Sequence, residues 1–235
     1  QRHVTGIFPG DLGFGSLQGT TSMDISPAAV REGLKLTFSG SDRNYKGRVI
    51  TTYNTGIRDH GWGLLLSASS RVAGEAYMER TPCNALSVLA SVGFAPGDKH
   101  EFTLTGVLAS NTRGRSAALS GEVLQLKGRS YNPYWGYQEG KIRNSRVRSI
   151  REPFLNFRYR FKGTRLSGAL AAAYQWGGQS RSRLGYFNAP NPEPNYYRYL
   201  PSFYWNQSFG PNPISAASAG SAFADSPQID WDALY

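Results

Sequence analysis

Chemistry-bearing side chains are scarce in this 235-residue sequence. There is a single cysteine, Cys83, which excludes an internal disulfide and a thiolate metal cage. The three histidines, His3, His60 and His100, stand far apart with no ligand spacing, and none takes a place in a serine or cysteine triad. Charged residues make up only 18% of the chain, against roughly 25% in soluble domains. Long apolar runs are missing as well. The most apolar stretches, Gly63–Ala68 and Gly168–Tyr174, fall far short of the roughly 20 residues that a spanning helix needs. Gln1-Arg2-His3 is followed by no apolar run, so no signal peptide is read there. A membrane, if the chain meets one, is met by strands.

What the sequence has instead is aromatics, glycine and positive charge. Aromatics reach 13%, which argues against a disordered chain, and the formal net charge is +10. Such a balance suits nucleic acid, an anionic membrane surface or a positively charged pore, and does not choose among them. Nucleic acid has no other support, and no nucleic-acid partner is expected.

Alternation with period two runs through the first three-quarters of the chain and marks about seven strands. They are carried by Leu34–Phe38, Val49–Tyr53, Trp62–Ala68, Leu86–Phe94, Phe102–Leu108, Leu155–Phe161 and Leu166–Trp176. No stretch of similar length has a helical period. The fold class expected is all-β, an antiparallel up-and-down meander. Its connections fall into two sets. Gly56–Gly61, Ala95–Lys99 and Lys162–Thr164 are short, whereas Ser41–Gly47, Arg71–Asn84, Ser110–Arg151 and the segment from Gly177 onward lengthen along the chain. Alternate connections of a meander emerge on one side, so one rim carries tight turns and the other long loops. That is the layout of an outer-membrane barrel.

Alternation alone does not separate a barrel from a soluble sandwich. Aromatics near the strand ends (Tyr53, Trp62, Phe94, Phe102, Phe161, Tyr174, Trp176) suit a girdle at a membrane interface, while Lys35, Arg158 and Arg160 lie on the opposite face, where a wet lumen accepts them. Core aromatics of a sandwich fit too. Seven strands do not close a membrane barrel, which is usually even-numbered from eight upward, so either the chain is a piece of a larger protein or the barrel architecture is wrong.

No motif points to catalysis, a metal or a cofactor. Gly13-Phe14-Gly15-Ser16-Leu17-Gln18-Gly19 is one residue too long for a dinucleotide fingerprint and lacks its flanking strand and helix. Asp225, Asp230 and Asp232 have none of the glycine and glutamate of a calcium loop. The chain is not expected to be an enzyme.

Two loop segments stand out by composition. Tyr131, Tyr134, Trp135 and Tyr137 precede a basic run that includes Arg143 and Arg146, and a second segment, stiffened by prolines, carries Tyr196, Tyr197, Tyr199 and Trp205. Aromatics beside arginine suit an anionic, sugar-bearing or peptide ligand, and these ten residues are the candidate ligand contacts. The competing reading is that the same aromatics glue the two loops together.

The sequence resembles the TonB-dependent outer-membrane receptors of Bacteroidetes, in the group whose plug follows a carboxypeptidase-regulatory-like domain. Four stretches carry the likeness: Asp11–Thr21 (DLGFGSLQGTT), Tyr131–Val147 (YNPYWGYQEGKIRNSRV), Tyr186–Ser202 (YFNAPNPEPNYYRYLPS) and Gln228–Tyr235 (QIDWDALY). Glu193 departs from the family, which usually has arginine between those two prolines. The resemblance implies a 22-stranded barrel closed by an N-terminal plug and importing a nutrient with energy from TonB. It implies residues 1–30 as the plug end and its connection, 31–176 as the first strands with long extracellular loops, and 177–235 as a long extracellular segment. The partners implied are the inner-membrane TonB complex, reached through a region outside this chain, a surface lipoprotein, outer-membrane lipid and an unidentified nutrient. The location implied is the outer membrane of a Gram-negative bacterium. The alternative from another class is a soluble all-β module that binds glycan or peptide through its aromatic loops.

Overall fold

The computed structural model of the chain describes residues 2–4, 17–187 and 189–234. Most of the glycine-rich stretch from Gly13, and Tyr235, lie outside the described residues. A short pair, β1 (Arg2–Val4) and β2 (Thr20–Ser22), comes first. The main sheet follows as β3 (Gly33–Gly40), β4 (Gly47–Ile57), β5 (Trp62–Ala73), β6 (Cys83–Phe94) and β7 (His100–Gly114). After helix α1 (Gly121–Lys127) and a small hairpin, β8 (Trp135–Gln138) and β9 (Lys141–Asn144), the chain returns as β10 (Val147–Arg151), β11 (Phe154–Lys162), β12 (Ser167–Gln175) and β13 (Gly178–Arg181). Helices α2 (Pro201–Trp205) and α3 (Pro213–Asp225) lie in the final segment.

The nine strands of this sheet trace seven courses. Strands β10 and β11 both pair with β7, over Ser110–Gly114 and His100–Val107, and are one course interrupted at Pro153, which has no N–H to donate to a ladder. Across from it β12 and β13 break at Trp176-Gly177. Gly177 has φ 106°, and a Cβ there would collide with the Arg151 carbonyl. The sheet is an antiparallel meander in the order β3-β4-β5-β6-β7-β11-β12, with β10 and β13 extending its far corner. Strands run further at the long-loop rim than alternation marks: β5 ends at Ala73, β7 at Gly114, and β10 begins at Val147. The β7 end, Ser110–Gly114, is polar or small throughout, and the β5 and β10 ends mix arginine and serine with isolated apolar residues, so alternation has little contrast to mark them. The long connections shorten to 74–82 and 115–146, and the contrast with the tight turns at 58–61, 95–99 and 163–166 stays.

Burial in this sheet is inverted relative to a soluble domain. The cross-strand rows Trp62–Phe94–Phe102–Tyr159, Leu64–Val92–Leu104–Phe157 and Leu34–Tyr53–Leu66–Ala90–Gly106–Leu155–Tyr174 all lie on one face. That face is open: Phe38 is 72% exposed, Tyr174 67% and Leu86 56%. The opposite face holds Asn54, Ser91, Thr103, Thr105 and Arg158, all buried. Arg113 on β7 donates to Asn44 in the turn before β4, although β4 and β7 stand three strand spacings apart, about 14 Å on a flat sheet. The sheet therefore curls, with its polar face concave.

The chain between Asp24 and Glu32 lies in that concavity. Asn54 donates to the Pro27 and Val30 carbonyls at 2.9 and 2.7 Å. Pro27 sits over the cross-strand glycine pair Gly63 and Gly93, and a Cβ on Gly63 would stand 2.9 Å from the Pro27 Cβ. Asp24 bridges Arg158 at 3.1 Å and Arg160 at 3.2 Å, and Glu101 supports the same two arginines from the sheet.

The apolar clusters lie instead in the loops above the long-loop rim. One joins Val123, Tyr131, Leu200 and Phe223, the other Leu184, Ile229 and Trp231. Helix α3 was not expected from the sequence. Only Ala216 and Phe223 of it are buried, so an alanine- and serine-rich helix shows no apolar stripe.

Candidate ligand-binding loops

Local turn chemistry sets the 115–146 loop. Ser120 caps α1, accepting from the Val123 amide, and so aims Val123 into the first cluster. Asn132 is wholly buried and donates to the carbonyls of Glu79 and Arg115, while its own oxygen accepts the Tyr134 amide. The β8–β9 hairpin turns at Glu139-Gly140, both at positive φ.

The 182–234 segment docks onto this frame through polar clamps. Glu122 of α1 accepts the Ser202 amide at 2.8 Å and its hydroxyl at 2.6 Å, at the start of α2. Lys127 donates to the Ala224 carbonyl near the end of α3. The Tyr131 hydroxyl donates to Pro227 at 2.6 Å, and burial pushes its phenol well above the usual range. The Ile229 amide donates to the Trp135 carbonyl at 2.9 Å.

The ten candidate residues divide by what they touch. Tyr131 and Trp135 are buried, and Arg80 lies 5.4 Å over the Trp135 ring. Tyr134 is half-buried beneath Arg146, whose guanidinium also pairs with Glu193 at 2.6 Å. Glu193 thus joins the two loops. Arg143 stacks on Trp231 at 4.4 Å. These five residues, Tyr131, Tyr134, Trp135, Arg143 and Arg146, serve the packing between loops. The other five behave differently. Tyr137 and Trp205 are each about half exposed, and Tyr197 and Tyr199 are exposed beside a half-buried Tyr196.

Rings of Tyr196, Tyr197, Tyr199 and Phe203 stand 4.8–5.7 Å apart, mostly edge to face. Arg198 covers Tyr197 at 5.7 Å, and its hydrogen bond to the phenol oxygen holds that phenol below its ordinary value. An aromatic surface with an adjacent cation suits stacking on a sugar or gripping an apolar peptide side chain. The same segment holds a cleft of about 300 Å³ lined by Pro190, Pro192, Pro194, Gln228 and Leu234. Among the described residues no cluster of histidine, cysteine or acidic side chains has the makings of a metal site.

Sequence reading missed the Asp24–Arg158–Glu101 network and the seat of Pro27. The signal that could have found the network is Arg158 and Arg160, two apart on the polar face of a strand whose neighbour offers only Glu101. Comparison with family models, with curated proteins and with solved structures gives no match.

Proposed function

We propose that the chain is part of an outer-membrane receptor of the TonB-dependent kind, importing a nutrient through a barrel of which this meander forms the first strands. The observation that carries the reading is the inverted sheet: its convex face is apolar and open, while its concave face is polar and covered by residues 24–32. In water an open apolar face of this size is costly, and in a bilayer it is the stable arrangement. From Phe94 to Leu86 that face runs about 26 Å along the strand. A tilt near 40° makes it about 20 Å high, close to an outer-membrane apolar band of about 25 Å. Stacked Trp62, Phe94, Phe102 and Tyr159 line the short-turn edge, as an interfacial girdle does. Both edges of the sheet, β3 and β12, pair on one side only, and long unpaired edges favour closure by further strands.

On this reading the short turns face the periplasm and the long loops face outward. Residues 24–32 belong to the end of the plug. Tyr137, Tyr197, Tyr199 and Trp205 meet the nutrient, while Tyr131 and Trp135 brace the loops that present them. TonB engages a region outside this chain. The protein transports and does not catalyse.

An epitope tag tests the placement in the full-length protein in intact cells. Inserted at Gly121, at the start of α1, it reaches antibody from outside, and inserted at Gly97, in a tight turn, it does not. Recovery of the protein in the soluble fraction, or exposure of Gly97 with Gly121 protected, overturns the proposal.

A further inference from the structure

The concave face carries a second feature that the loops do not use. Near the long-loop rim a cavity of about 520 Å³ opens between β7, β10 and β13 and the 41–46 turn. Five arginines line it (Arg43, Arg113, Arg115, Arg148 and Arg181), and no carboxylate does. Three of them share one register row, Arg113 opposite Arg148 and Arg148 opposite Arg181. Like charges directly across a ladder destabilise a sheet. Some arginines of the chain are neutralised, Arg158 and Arg160 by Asp24 and Glu101 and Arg146 by Glu193. Arg48 opposite Arg71 on β4 and β5 is a second cross-strand pair with no ion pair among the described residues, though only two arginines meet there. Among the described residues none of the five has an ion pair. Their recorded side-chain partners are neutral, Asn44 for Arg113 and Gln179 for Arg148. The Arg148 Nε is buried with no hydrogen-bond partner.

We infer that this cavity binds a small solute bearing two or more phosphate or sulfate groups. Guanidinium forks match the oxygens of such groups two at a time, and several converging forks repay the mutual repulsion only when an oligoanion lies between them. The volume is that of a small-molecule pocket. Its face argues against a lipid headgroup, because the arginines lie on the side opposite Leu86 and Phe38. The lining also argues against nucleic acid. It holds no aromatic ring on which a base would stack. The inference depends on the cavity and not on membrane placement.

Calorimetry of the purified full-length protein with inorganic tripolyphosphate at 50 mM salt tests it. The expected result is saturable one-to-one binding, weakened at least tenfold in Arg113→Gln and in Arg148→Gln. Arg58→Gln, in a tight turn at the other rim, stays within twofold. Arg181→Gln, exposed at the end of its strand, repeats the loss if an interior variant fails to fold. Absence of saturable binding overturns the inference. So does an equal loss in Arg58→Gln, which marks diffuse charge. A thymidine oligonucleotide that binds more tightly than tripolyphosphate through the same arginines overturns the small-solute assignment. Tripolyphosphate binding by a protein that fails the tag experiment sinks only the receptor reading, and a correctly placed protein without binding sinks only this one.

Discussion

Replacing Asp24 by asparagine removes the carboxylate that bridges residues 24–32 to Arg158 and Arg160 on the polar face. Burial works against ionisation of Asp24. It is outweighed by hydrogen bonds from Arg158 and from the Ser26 amide, so the carboxyl sits at about 2 instead of its ordinary 3.8. The drop from 3.8 to about 2, at about 1.4 kcal/mol per pH unit, gives about 2.5 kcal/mol for the charged form. The Asp24 side chain is 31% exposed, so solvent screening brings the useful part to about 1–1.5 kcal/mol. Asp24→Asn is therefore expected to raise local opening of the segment by about five- to tenfold at neutral pH. The sign with pH follows from the depressed value. The stabilisation is complete above about pH 5 and fades as pH falls through 3.8 toward 2. Hydrogen exchange followed by mass spectrometry reads both effects as protection factors at the Ala29 and Val30 amides, which bond to the Ser26 carbonyl. Asp42→Asn, in an exposed turn, serves as the control and changes nothing. Equal protection in Asp24→Asn and wild type at pH 7, or full wild-type protection retained at pH 2, refutes the latch.

Arginine at Val88, on the open apolar face, is expected to cost about 2–4 kcal/mol in lipid vesicles, and arginine at Ser87 on the concave face much less; equal costs in denaturant titrations would remove the lipid-facing assignment. Trp135→Ala is expected to cost about 3–5 kcal/mol and to sensitise residues 182–234 to protease, since Trp135 is buried, whereas Tyr197→Ala, on an exposed ring, leaves heat stability unchanged and weakens uptake. Normal uptake by the Tyr197 variant would take that ring out of the ligand surface. Gly63→Ala drives a methyl into Pro27 and the Gly56 carbonyl and is expected to loosen residues 24–32 in the same exchange assay, while Gly74→Ala, which meets nothing within 4 Å, is neutral.

Much of the sheet was legible because a strand shows its two faces to a reader of sequence. Leu86, Val88, Ala90 and Val92 alternate with Ser87, Leu89 and Ser91, and each turn beyond is marked by glycine, proline or aspartate. What alternation cannot show is which face is covered. The same residues would build a sandwich core or a lipid-facing wall, and only the position of Pro27 over Gly63 and Gly93 settles which side the chain itself occupies. The outer ends of the strands escaped notice for the converse reason. In β7 the residues from Ser110 to Gly114 are polar or small on both faces, so period two has no contrast there. Helix α3 was announced only by its cap, Asn212 before Pro213, a local signal with no apolar periodicity to extend it.

The loops were legible as composition and not as arrangement, because their partners lie far away in the chain. Tyr131 and Tyr137 look alike in sequence. One reaches across 96 residues to the Pro227 carbonyl and is buried, and the other, edge to face with the Trp135 ring, is about half exposed on a hairpin turned by Glu139-Gly140. Arg146 illustrates the same division. Its pairing with Glu193 turns a candidate ligand cation into a bolt between loops, whereas Arg148, two residues on and in the sheet, has no counter-charge among the described residues. Bracing and binding are then not rival fates for one set of residues. An aromatic surface exposed on mobile loops would lose entropy on every contact. Here Tyr131, Trp135, Arg146 and Trp231 fix the loops in advance, so on the proposed reading Tyr137, Tyr197 and Trp205 would meet a ligand at small further cost.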